Sequence, residues 1–96
     1  MTVHIVVFKF KEENRDANLK EVREQLNTLV DLVPTLKSME VGINFTVAER
    51  AFDLSIYSTF NTKEDLDAYA IHPAHLKVVE FIKSVTTESK VVDYIL

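Results

Sequence analysis

The sequence predicts an α+β fold with the element order β-α-β-β-α-β, a four-stranded antiparallel sheet carrying its helices on one face. Three observations predict it. Segments rich in β-branched and aromatic residues, two of them with clear period-two alternation, recur along the chain. Stretches with three-and-four apolar spacing lie between the first and second of them and again before the last. A single glycine and two prolines leave few places to break the chain.

The first segment, roughly Val3 to Phe10, is apolar at both parities, with Val3, Ile5 and Val7 on one side and His4, Val6, Phe8 and Phe10 on the other. Such a strand is buried on both faces. From about Asp16 to Val33, apolar residues fall at Leu19, Val22, Leu26, Leu29, Val30 and Val33, with Lys20, Glu21, Arg23 and Glu24 outside the stripe. This spacing predicts an amphipathic helix stopped by Pro34. Ser38 to Phe45 alternates Met39, Val41, Ile43 and Phe45 with polar or small residues and predicts a half-buried strand. Asp53 to Phe60 alternates in the same way and predicts a third strand. Asn61, with Glu64 three places on, is a capping-box variant that opens a short helix ending near Ile71. Pro73 suits the first turn of a further helix reaching about Val85, and Lys90 to Leu96 reads as the closing strand. Together these elements describe a ferredoxin-like protomer.

At 96 residues the chain is expected to form one domain over residues 1–96 with one core. Its 47% hydrophobic and 27% charged residues exclude a disordered chain. The net charge of −4, with basic residues dispersed, argues against a nucleic-acid partner. The absence of cysteine removes disulfides, thiolate chemistry and cysteine zinc sites. No stretch reaches membrane-spanning length, and the N-terminal apolar run lacks the flanks of a signal peptide. A cytoplasmic location without membrane association is the expectation.

Helices on one sheet face leave the other bare. That face carries Val3, Ile5, Val7 and Tyr57 among Glu40, Ser55 and Thr59, an apolar patch that a second copy would cover. A homodimer packed sheet to sheet is therefore expected. The phenylalanines Phe8, Phe10, Phe45, Phe60 and Phe81 are read as core.

The candidate site comes from YAIHPAHLKV, residues 69–78. His75 shares a helical stripe with Val78, Val79 and Ile82, Tyr69 shares a face with Leu66, and His4 lies on the helix-facing parity of the first strand. These three polar tips converge between sheet and helices, where each needs a partner or a cavity. His72 is placed at the helix junction, where a side chain caps the helix or meets water. His72, His75 and His4 make a weak metal set, because Pro73 distorts the turn and no carboxylate is evidently positioned behind them. No metal and no cofactor are expected.

VHIVVFKFKE, VPTLK, STFNTKEDLDAYAIHPAH and VVDY together resemble the stress-responsive dimeric α/β-barrel (Dabb) domain family over nearly the whole chain. The resemblance implies a barrel formed by two sheets. One member of that family is a plant polyketide cyclase that needs neither metal nor organic cofactor. Its functional residues match His75, as general base, Tyr69, as orienting or acidic partner, and His4. Where the cyclase lines its pocket with aromatics, this chain has Glu24, Val22, Leu26 or Leu29, and Thr86 or Thr87, which argues against a long acyl-aryl substrate. Val6, Phe8, Ile56 and Val79 are the expected pocket wall. The reading is a homodimer that binds a small, partly apolar molecule between sheet and helices. A cofactor-free cyclase, lyase or isomerase and a purely structural oligomer subunit are the alternatives.

Overall fold

β1 (Thr2–Phe10) runs through the sheet interior, where its residues, apolar at both parities, meet neighbours on both edges. In the computed structural model, which describes residues 1–96, it pairs antiparallel with β3 (Leu54–Phe60) and with β4 (Thr86–Ile95). β2 (Ser38–Ile43) pairs with β3, giving the order β2-β3-β1-β4. One face is covered by α1 (Arg15–Asn27), α2 (Leu29–Leu32), α3 (Lys63–Ala70) and α4 (Pro73–Val85). The ferredoxin-like α+β architecture is as expected. No helix is long and apolar enough to cross a membrane.

The core lies between that face and the helices. Leu19, Val22 and Leu26 of α1 meet Leu54, Ile56 and Phe60 of β3 and Val78, Ile82 and Val85 of α4. Each set follows the period of its element, so one stripe per helix and one parity per strand suffice.

Several boundaries differ from expectation for local reasons. The helix expected over 16–33 is interrupted at Thr28, whose hydroxyl donates to the Gln25 carbonyl at 2.6 Å, as does its own backbone N–H at 3.3 Å. Such back-bonding draws a carbonyl away from the regular ladder. Val30, expected in the buried stripe, is consequently exposed on the following turn. The cap of α3 is Thr62 rather than Asn61: its Oγ1 accepts from the Asp65 N–H at 3.1 Å. β4 begins at Thr86, directly after α4, because Thr86 turns extended while its hydroxyl donates to the Ile82 carbonyl at 2.8 Å. The polar run TTESK hid this half of an exposed edge strand.

Phe45 is not core. β2 ends at Ile43, Asn44 folds back through its side chain onto Thr46, and Phe45 projects from the loop 96% exposed. Phe10 and Phe60 are buried, and Phe8 and Phe81 pack against the core.

The open sheet face also needs a correction. Val3 is fully buried within the protomer, opposite Thr59 and Tyr94 in register, although it lies outside the main core. The remaining patch is Ile5 and Val7, half-buried, with exposed Tyr57 and Val92.

Candidate functional site

The break between α3 and α4 is built by three residues. His72 is extended at φ −65°, ψ 136°, the conformation a following proline favours, and its Nδ1 accepts from the Ala74 N–H at 3.0 Å. Pro73 occupies the first helical position, where no N–H is needed. His72 therefore serves as the cap of α4 and does not reach the cavity described next.

His75 follows in the first turn, half-buried. Its Nδ1 lies 3.0 Å from the carbonyl oxygen of Ala70, one of the orphan acceptors at the end of α3. A carbonyl only accepts, so Nδ1 carries the proton, and in the neutral ring Nε2 keeps its lone pair. Burial pushes the His75 pKa below its ordinary 6.5; the Ala70 bond opposes this, while charge on His4 and His72 pushes it further down. The imidazole is neutral near pH 7.

Tyr69 is 2% exposed, its ring tilted against His75 with centroids 4.3 Å apart and against Phe60 at 5.2 Å. Its hydroxyl has no hydrogen-bond partner in the protomer, and burial alone pushes its pKa upward. His4 donates from Nδ1 to Oδ1 of Asp93, the residue directly opposite on β4. The Ser58 hydroxyl donates to the His4 carbonyl at 3.1 Å, pinning this part of β1 to β3.

These groups border one partly enclosed cavity of about 150 Å³ between sheet and helices. All seven expected positions line it: His4, Val6 and Phe8 from β1, Ile56 from β3, Tyr69 from α3, and His75 and Val79 from α4. Leu26 and Ile82 close its apolar wall, and Lys83, Thr86 and Ser89 line it as well.

The sequence reading missed Asp93, Lys83 and Ser89. It held that no carboxylate stood behind the histidines, and Asp93 corrects that. Only the β1–β4 register places Asp93 opposite His4, and register is invisible in a strand whose first half is polar. Lys83 was legible in principle, since it falls four and eight residues after Val79 and His75 on the same helical stripe. No group of three or more His, Asp and Glu side chains is placed to hold a metal ion.

A larger cleft of about 580 Å³ opens between the β2–β3 loop and the start of α1. Lys9, Lys11 and Arg15 there are offset by Glu12, Asp16, Glu49 and Asp53, and no histidine lines it. Asp53 is already committed, accepting from the Phe10 N–H at 2.7 Å. The smaller cavity, apolar with a few convergent polar groups, has the character of a small-molecule site.

The family model of the stress responsive A/B barrel domain matches residues 2–96. The chain is 33% identical over 95 residues to the stress-response A/B barrel domain-containing protein DABB1 of Arabidopsis thaliana, covering 96% of this chain and 45% of that protein. It thus spans less than half the length of that relative. It is 29% identical over 93 residues to olivetolic acid cyclase of Cannabis sativa, covering 95% of this chain and 92% of the cyclase. A dimeric protein of unknown function and ferredoxin-like fold from Bacteroides fragilis superposes with a TM-score of 0.88 at 25% identity, covering 97% of this chain and 93% of the other.

Proposed function

We propose that this chain, which belongs to the stress responsive A/B barrel domain family, is a single-domain homodimer binding a small, partly apolar molecule between sheet and helices of each protomer. The observation that carries the reading is the cavity itself, bounded by a neutral imidazole and by a tyrosine hydroxyl with no protein partner. That hydroxyl is not sealed off: it opens onto the cavity, where a ligand can reach it. A fold that needed Tyr69 only for its ring contacts with Phe60 and His75 would be served as well by phenylalanine. The dimer is supported by the apolar patch of Ile5, Val7, Tyr57 and Val92 on the bare sheet face and by the dimeric state of the Bacteroides fragilis protein.

A second reading, acid–base catalysis on a carbonyl compound, is favoured by the free Nε2 of His75 beside Tyr69. In it, Nε2 takes a proton from the carbon next to a carbonyl. The Tyr69 hydroxyl donates to the developing enolate oxygen, and the imidazolium returns the proton to the product. His4, held by Asp93, orients the substrate from the sheet side. The likeness to olivetolic acid cyclase, over 92% of that protein, supports an enzymatic reading of this kind.

Native mass spectrometry of freshly purified protein tests the binding reading. The expected spectrum is a dimer with one small-molecule adduct per protomer, lost in Val79→Phe, which fills the cavity. A dispersed monomer, or adducts indifferent to Val79→Phe, would refute it.

A further inference from the structure

The two ends of the cavity differ in charge. At the α3–α4 junction it presents Tyr69, His75 and His4, the last held from behind by Asp93. At the far end Lys83 reaches it from the last turn of α4, and Ser89 from β4, opposite Phe8 in register. His75 and Lys83 are eight residues apart on one stripe, about 12 Å along the axis. Helical side chains lean toward the N-terminus, so the lysine stem leans back over the cavity rather than away from it.

Lys83 has no ion-pair partner in the protomer; the ion pairs are His4–Asp93 and Lys90–Glu88. The Thr86 hydroxyl is occupied by the Ile82 carbonyl, which leaves the Ser89 hydroxyl as the available neutral donor beside Lys83. Between the ends the wall is Val6, Phe8, Ile56 and Val79. A cavity of this volume has room for a benzene-sized body.

Resting on the reading of this cavity as a ligand site, we infer that its ligand is a compact aromatic or short-chain carboxylate, held in one orientation. The carboxylate sits at the rim on Lys83 and Ser89. The apolar body fills the middle, and a carbonyl or hydroxyl, where the ligand has one, meets Tyr69 and His75. The opposite end of the cavity offers a carboxylate no lysine or arginine. Lys83 also complements the C-terminal partial charge of α4, a stability role that a binding ratio does not register.

The test uses 3-phenylpropanoate and its uncharged isostere 3-phenylpropanamide, titrated calorimetrically into the wild-type protein, Lys83→Gln and Lys83→Arg at low ionic strength. The wild-type protein is expected to bind the carboxylate roughly tenfold more tightly than the amide, the margin between a charge-assisted and a neutral hydrogen bond. Lys83→Gln should bring the ratio to about one, and Lys83→Arg should preserve it. Equal binding of both probes by the wild-type protein, or a preference that survives Lys83→Gln, overturns the charge assignment and leaves the cavity as a ligand site. Failure of both probes to bind overturns the cavity reading and this inference with it.

Discussion

Replacing Tyr69 by phenylalanine separates a functional hydroxyl from a structural one. The ring is nearly fully buried between Phe60 and His75, and phenylalanine keeps every one of those contacts. What disappears is one hydroxyl whose only environmental influence is burial. A polar group sealed from water without a partner costs on the order of 1–3 kcal/mol, but this hydroxyl opens onto the cavity and escapes that penalty. Tyr69→Phe should therefore change the stability of the folded state by less than about 0.5 kcal/mol. For a domain of this size that keeps Tm within about 4 °C of the wild-type value. The assay is thermal unfolding by circular dichroism at fixed protomer concentration, since dimerisation makes the midpoint depend on concentration. The same variant should bind 3-phenylpropanal, whose carbonyl would accept from the hydroxyl, about tenfold more weakly. Losing affinity at unchanged stability marks a group kept for a ligand. A Tm lowered by 4 °C or more would refute the reasoning, because it would mean the hydroxyl ties α3 to the rest of the fold.

Other substitutions probe the neighbouring links. The folded-state pKa of His75 lies below its ordinary 6.5, so the unfolded chain binds more protons in between. Its contribution to stability is complete above about pH 6.5 and is lost as the pH falls through the lowered value; urea unfolding across pH 5–8 should show this slope, and His75→Gln should flatten it. His72→Ala removes the cap of α4 and should cost about 1 kcal/mol in the same urea assay without changing ligand affinity. Ile5→Lys puts a charge in the bare sheet face and should convert the dimer to a monomer by light scattering; an unchanged mass would mean that this face is not the interface. Asp93→Asn loosens the anchor of His4 at a half-exposed position, so protein stability should change by less than about 1 kcal/mol while proton exchange from a bound carbonyl compound slows.

The sequence carried the fold where periodicity was strong. Leu19, Val22 and Leu26, or Leu54, Ile56 and Phe60, can only face the core if their elements adopt the helix and strand periods they do. It misled at Phe45, where the alternation continued past the point at which Asn44 folds the chain outward. A side-chain turn competes locally with strand pairing and leaves no trace in an apolar–polar pattern. That His4, Tyr69 and His75 line one cavity was legible from three signals: the strand parity of His4, the face Tyr69 shares with Leu66, and the helical phase that Pro73 resets before His75. Asp93 was not, because its position depends on a pairing between residues 89 apart in the chain.

The most direct test of the central claim is a crystal structure of the protein soaked with 3-phenylpropanal. The account predicts the ring between Val6, Phe8 and Val79, with the carbonyl oxygen within hydrogen-bonding distance of the Tyr69 hydroxyl beside Nε2 of His75. A cavity that stays free of the aldehyde, with the molecule bound instead in the larger cleft beside Arg15 and Phe45, would contradict it.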